Sequence, residues 1–182
     1  MAPIKLTNFR KEFKFTINKN TCPFDDLSRN YGKGRYKFDF DVYLPSKEMN
    51  LQRPLVWTLF QKQQFIESIL KGCPIPKITV IRHEFDKTNS VYQVIDGKQR
   101  LSTYLAYLDN EFPIVFEDNE YYFKDLGNDL QYEVAYRFYF HADVAYSYWD
   151  TPISDEDKIT WFNQINFAGT PQDMEHMKKL KA

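Results

Sequence analysis

Long hydrophobic runs are missing from this sequence. No stretch of eighteen or more apolar residues occurs among its 182, so nothing in it is suited to cross a membrane as a helix. The leading residues, MAPIKLTNFRKEFKF, lack the apolar stretch and small-residue cleavage site of a secretory signal. Cysteine is scarce. Only Cys22 and Cys73 occur, which excludes a disulfide-stapled scaffold and points to a reducing compartment, the cytoplasm, with a single disulfide as the alternative. Internal repeats and low-complexity tracts are also lacking, which excludes solenoids and arrays. Charge of one sign is not in excess either, since the formal net charge is −1.

Aromatic residues are abundant. Thirteen Tyr, sixteen Phe and three Trp supply ample apolar surface for a core, and the length suits one domain with an appended arm. The near-neutral total hides an asymmetry. Residues 1–35 hold eight Lys/Arg against three acids, whereas residues 36–182 hold sixteen against twenty-two. A basic arm (1–35) ahead of an acidic domain (36–182) could meet a polyanion such as nucleic acid, or it could be a solvated terminus.

The arm reads as irregular with one short strand, because turn-formers cluster at Asn18–Cys22 and Asn30–Gly34. From Tyr36 to Leu44 apolar and polar residues alternate, the pattern of a half-buried strand. A helix is expected from about Thr58 to Leu70, stopped by Gly72 and by the rigid connector Cys73-Pro74-Ile75-Pro76. Ile78–His83 and Ser90–Ile95 form a hairpin signal. Leu101, Tyr104, Leu105 and Leu108 then fall on one helical face. Phe112–Phe116 and Tyr121–Phe123 read as short strands, residues 129–140 as helix, and Ala142–Tyr148 as a strand. Ser154 with Asp155, Glu156 and Asp157 starts another helix, and Thr170-Pro171 opens the last. The total is an α+β domain with a small mixed sheet and four or five helices.

The chemistry concentrates where a hydrophobic strand runs into Asp96-Gly97-Lys98-Gln99-Arg100 and then a helix. Glycine permits a sharp turn and close backbone approach, and the free N–H groups of a helix start favour an anion such as phosphate. Arg100 could clamp a phosphate, Lys98 could neutralise a neighbouring oxygen, and Gln99 could orient a base or a water. Asp96 would hold a divalent metal or orient Arg100 and Gln99. The plainer alternative makes Asp96 an N-cap, Gly97 a turn residue, and Lys98 and Arg100 a solvated first turn. His83, His141 and His176 lack paired-ligand spacing and read as surface or packing residues. Trp57 reads as core, and the pairs Tyr121-Tyr122 and Tyr148-Trp149 as packing aromatics rather than base-stacking platforms.

Asp96-Gly97-Lys98-Gln99-Arg100 resembles the DGQQR motif of a large bacterial and phage family typified by the N-terminal domain of GmrSD restriction enzymes, with a ParB/sulfiredoxin-like fold. Three more segments agree in order. Leu51-Gln52-Arg53-Pro54-Leu55-Val56-Trp57 is similar to a YQR-P-x-x-W element. Phe65 to Pro76 is similar to a helix ending in G-x-P-I-P. Phe162-Asn163-Gln164-Ile165-Asn166-Phe167-Ala168-Gly169-Thr170-Pro171-Gln172 is similar to an F-x-x-I-N-x-x-G-T-P-L element.

The resemblance implies a hydrolase that binds and hydrolyses a nucleoside triphosphate with Mg²⁺, and action on or with DNA in restriction, defence or phage DNA metabolism. It implies catalytic roles for Asp96, Gln99 and Arg100, nucleotide contacts from Gln52, Arg53, Gly97, Lys98 and Asn166, and Asp96 as the metal ligand. Three positions depart from the pattern: Lys98 stands for the first glutamine, Leu51 for tyrosine, and Gln164 for an arginine. No nuclease half follows within these residues, so a separately encoded nuclease is the expected partner. The alternatives are a non-catalytic binding or regulatory module, and a DNA endonuclease acting alone. Cys73 lacks the neighbouring histidine and arginine of a sulfiredoxin-type thiolate.

Overall fold

β-branched residues fill Ile78–Glu84 and Ser90–Asp96, and these two runs pair antiparallel to form the centre of the molecule, with Val80 opposite Val94 and Arg82 opposite Tyr92. The computed structural model describes residues 14–21, 24, 36–86, 89–138 and 140–167. Its strands are β1 (Ile17–Thr21), β2 (Phe38–Asp39), β3 (Tyr43–Leu44), β4 (Met49–Asn50), β5 (Ile78–Glu84), β6 (Ser90–Asp96), β7 (Ile114–Phe116), β8 (Asn119–Tyr121) and β9 (Ala142–Ser147). Its α-helices are α1 (Leu59–Leu70), α2 (Lys98–Leu108), α3 (Asn128–Tyr132), continuing as a π turn over Glu133–Arg137, and α4 (Asp155–Phe167). The main sheet runs β1-β9-β5-β6-β2. β9 is parallel to β5 and β2 parallel to β6, while β1–β9 and β5–β6 are antiparallel. The domain is therefore α+β with a small mixed sheet, as its sequence indicates.

Alternation along the strands sends side chains to two cores. Ile78 and Val80, Val94, and Ala142 and Val144 join Phe65, Ile66 and Ile69 of α1 and Leu101, Tyr104, Leu105 and Tyr107 of α2. Ile81, Ile95 and Ala145 face the other way, against Ile159, Trp161 and Phe162 of α4 and against Val42, Leu44 and Leu51. Each of the larger aliphatic side chains is worth about 1.5–3 kcal/mol when fully buried. Burial raises the Tyr107 hydroxyl above its ordinary pKa, and the Asp125 carboxylate adds to the shift.

Local signals fix the helices that matter for the site. Thr58 caps α1: its Oγ1 accepts from Gln61 N at 3.3 Å while Gln61 Oε1 accepts from Thr58 N at 2.9 Å. Gly72, at φ +68°, follows the helix end in the left-handed region.

The expected strand over Tyr36–Leu44 is instead two short pieces. Asp39 Oδ1 accepts from Asp41 N at 3.1 Å and from Val42 N at 2.8 Å, bending the chain, and Val42 sits at φ +51°. The apolar alternation is real, but it carries Tyr36, Phe38 and Phe40 to one core and Val42 and Leu44 to the other. The strand expected over Phe112–Phe116 shortens to β7, and the one expected over Tyr121–Phe123 lies earlier, at β8, with Phe123 opening a 3-10 turn; Glu117 and Asp118 turn the hairpin at φ +48° and +62°. The expected helix over 129–140 is shorter and ends in the π turn. The arm's strand is β1, on the sheet edge beside β9. The helix expected from Thr170 lies outside the described residues.

Candidate functional site

The sheet delivers β6 to the start of α2 through Gly97, which adopts φ +95° and is the helix N-cap without any side-chain cap. A Cβ there would lie 2.4 Å from Ile78 Cγ2, so only glycine lets the end of β6 pass β5 so closely. The first intrahelical bond is Leu101 N to Gly97 O, at 2.9 Å. The N–H groups of Lys98, Gln99 and Arg100 thus have no intrahelical acceptor, and the first turn contains no acid.

A second segment lies across this helix start. Leu51 N donates to Val42 O and Gln52 N to Asp41 O, at 3.0 and 3.1 Å. The buried Gln52 side chain donates through Nε2 to Val94 O (2.9 Å) and Ile95 O (2.6 Å), fastening the segment to β6. Further on, Gln99 Oε1 accepts from Val56 N (3.1 Å) and Trp57 N (3.2 Å), while its Nε2 donates to Pro54 O (3.1 Å). Residues 53–58 have no regular secondary structure, so Gln99 supplies partners that a ladder would otherwise provide.

These elements enclose a cleft of about 170 Å³ lined by Gln52, Arg53, Trp57, Asp96, Gly97, Lys98, Gln99 and Arg100. Seven of the eight site residues expected from sequence therefore converge. Asn166 does not line it; its Nδ2 donates to Phe162 O at 2.8 Å within α4. Trp57 was expected only in the core. It packs against Phe65 with ring centroids 5.5 Å apart, yet it also walls the cleft. Its position four residues after Arg53, on a segment tied to α2, is the signal that could have found it.

The three cations differ in their engagement. Arg100 donates through Nη2 to Asp96 Oδ2 at 2.8 Å and through Nη1 to Pro76 O and Lys77 O, the latter at 3.1 Å. Three of its five N–H groups are thus committed inside the protein. The Lys98 side chain is 7% exposed, and its ammonium lies 2.7 Å from Asp41 Oδ1, so its charge is already balanced. Arg53, half-buried, makes no hydrogen bond or ion pair with the described residues.

The geometry gives two expected site residues different employment. Gln99 Oε1 is occupied by two backbone donors, so it has no acceptor left to orient an attacking water. Lys98 serves Asp41 before any phosphate.

Elsewhere, His83 Nδ1 bonds Ser147 Oγ at 2.9 Å, and Ser147 Oγ accepts from Ile153 N at 3.0 Å. Burial lowers the His83 pKa, with the Lys158 charge adding to the effect. Asp155, Glu156 and Asp157 form the first turn of α4. Cys73 is exposed. No described helix is long and apolar enough to cross a membrane. A larger cavity of about 530 Å³ between α1 and the β7–β8 hairpin is lined mainly by Leu70, Ile114, Val115, Phe116, Leu126 and Leu130. Its walls are mostly apolar, with Glu67, Lys71 and Asp125 also among the lining residues.

No curated protein and no solved structure matches the chain. The model of one family, described as the N-terminal domain of the GmrSD restriction endonuclease, matches residues 45–180, a span that contains every residue of the cleft. By that match over most of its length, the chain belongs to the family of GmrSD restriction endonuclease N-terminal domains.

Proposed function

We propose that this domain binds a nucleoside triphosphate by its phosphates at the Arg53–Gly97 cleft and serves a DNA-directed restriction or defence system. The observation that carries the reading is one guanidinium, that of Arg53, with no partner among the described residues, lining the same cleft as an uncapped helix start. Both favour an anion, and a guanidinium matches phosphate oxygens bidentately. At about 170 Å³ the cleft suits a phosphate group rather than a whole nucleotide, given the ~300–1,000 Å³ typical of ligand pockets. The nucleoside would therefore lie outside it, with the wall of Trp57 beside it.

Mg²⁺ is commonly held by one or two carboxylates together with substrate phosphates. Asp96 fits that part: one oxygen binds Arg100, and the other has no partner among the described residues. Among those residues no group of three His, Cys, Asp or Glu side chains is placed to hold a metal. The donor set therefore suits a cation that arrives with the phosphates, whose charge it would offset. Arg53 would bind, Gly97 would admit the phosphate to the backbone, and Arg100 would hold Asp96 in place.

Binding without turnover is the second reading, favoured by the occupied Gln99 amide oxygen, which has no acceptor capacity left for an attacking water. In that case the domain would act as a regulatory module or as the partner of a separately encoded nuclease. One experiment addresses both readings. Each NTP with Mg²⁺ is incubated with the protein, with and without plasmid DNA, beside Arg53→Ala and Asp96→Ala. Nucleotide-dependent thermal stabilisation lost in Arg53→Ala is the expected result. Phosphate release lost in Asp96→Ala adds hydrolysis, and its absence favours the regulatory module. Stabilisation that survives Arg53→Ala overturns the site, and nicking without nucleotide would identify a DNA endonuclease.

A further inference from the structure

We infer that Gln99 is a positioning residue for Arg53, acting through the strap 52–57 rather than on the ligand; this rests on the phosphate-binding reading above. Arg53 is the one residue between two tethers. On its N-terminal side Gln52 is bonded by its backbone to Asp41 and by its side chain to Val94 and Ile95. On its C-terminal side Pro54, Val56 and Trp57 are all held by the single amide of Gln99.

Pro54 has no N–H, and residues 53–58 belong to no helix or strand. Removing the Gln99 amide would leave the N–H groups of Val56 and Trp57 and the carbonyl of Pro54 without the partners described, and the downstream tether would be gone. The strap would then recover backbone freedom, which binding would have to remove again. Arg53 would retain its charge but lose its fixed position over the helix start. Preorganised groups bind more tightly because that ordering is already in place. The amide also sits on α2 two residues after Gly97, so the same helix turn presents the backbone N–H groups and tethers the segment that brings Arg53 to the same cleft.

Gln99 is suited to this work chemically. A strap with two donors and one acceptor needs a side chain offering both kinds of partner, and an amide has both. Glutamate at this position would keep the acceptor for Val56 and Trp57 but would set a carboxylate oxygen against the Pro54 carbonyl.

The test is a double-mutant cycle on the whole chain with inorganic tripolyphosphate and Mg²⁺ as probe, read by titration calorimetry, together with amide hydrogen exchange at Val56 and Trp57. Gln99→Ala is expected to weaken tripolyphosphate about tenfold when Arg53 is present and less than about twofold in an Arg53→Ala background. Exchange at Val56 and Trp57 should speed up in both backgrounds. Gln99→Glu should fall between wild type and Gln99→Ala in both readouts.

Equal affinity of wild type and Gln99→Ala, with faster exchange, overturns the inference while leaving the phosphate reading standing. Losses that multiply in the double variant overturn it differently, by showing that Gln99 touches the anion itself. Failure of the wild type to bind either tripolyphosphate or any NTP overturns the phosphate reading and this inference with it. Unchanged exchange in Gln99→Ala overturns the strap.

Discussion

Two helices of this domain begin in opposite ways. α4 is closed by its own chain: Ser154 Oγ accepts from Asp157 N at 3.2 Å, three acids occupy the first turn, and Asp155 Oδ2 also accepts from Ser46 N at 3.0 Å. α2 begins on an uncapped glycine, with Lys98, Gln99 and Arg100 where acids would suit the helix dipole. In α4 the positive end is neutralised internally, and the acids need no metal to explain them. Among the described residues, every polar side chain lining the cleft at α2 except that of Arg53 is engaged in holding backbone or balancing another charge, and the N–H groups of the first turn have no intrahelical acceptor. The difference separates a helix start closed by its own side chains from one left open, as the proposed phosphate site requires.

The comparison breaks most sharply at Gly97. Gly97→Ala places a Cβ against Ile78 at a left-handed φ, combining strain with overpacking. A loss of about 3 kcal/mol or more is expected in urea unfolding, with tripolyphosphate stabilisation abolished. A smaller effect is expected at the other helix: Ser154→Ala should cost about 1 kcal/mol and leave tripolyphosphate affinity unchanged. If it changes affinity, the two helix starts are not independent.

Lys158 probes what α4 buries. It is 8% exposed and 3.8 Å from Asp155, and desolvation lowers its pKa although Asp155 and Asp39 oppose the shift. His83 on the neighbouring strand is lowered from 6.5 by burial and by this lysine. The unfolded chain therefore binds the His83 proton first as pH falls. Stability from this group is present above pH 6.5 and is lost as pH drops from there through the lowered folded value. Lys158→Met should leave stability at neutral pH within about 1 kcal/mol of wild type, or raise it, and should shrink the loss between pH 7.5 and 5.5, measured by urea midpoints at both. The smallest effect is expected for Lys98→Gln. Removing that ammonium frees Asp41, which is largely exposed, so stability should change by less than about 1 kcal/mol and tripolyphosphate affinity by less than about threefold.

The sequence made some of this legible and hid the rest for physical reasons. The β5–β6 hairpin, α1, α2 and the start of α4 follow from signals within a few residues: β-branched runs, the Thr58–Gln61 box, the left-handed Gly72 and the Ser154 cap. The convergence of seven expected residues on one cleft was readable from motif order. What each side chain does there was not. Arg100 bonds carbonyls more than twenty residues back, and Gln99 bonds a strap more than forty residues back. Neither partner leaves a mark beside the motif. The break at Val42 was hidden because the alternation of apolar residues continues through a turn in which they change core. The acidic turn between β7 and β8 was legible, but not its tightness: Glu117 and Asp118 both take left-handed positions, so β8 already begins at Asn119.

The tethers of the strap also bear on the order in which the molecule assembles. Gln52 reaches its β6 carbonyls across 42 and 43 residues, and Gln99 reaches Pro54 across 45. The β5–β6 hairpin and α2 need only short loops to close, whereas these bonds require that hairpin and helix to exist already. The cleft is therefore expected to be completed late, after the rate-limiting step, as folding and unfolding rates of Gln99→Ala in urea would check. Loosening Gln99 should accordingly hasten unfolding while leaving the folding rate nearly untouched.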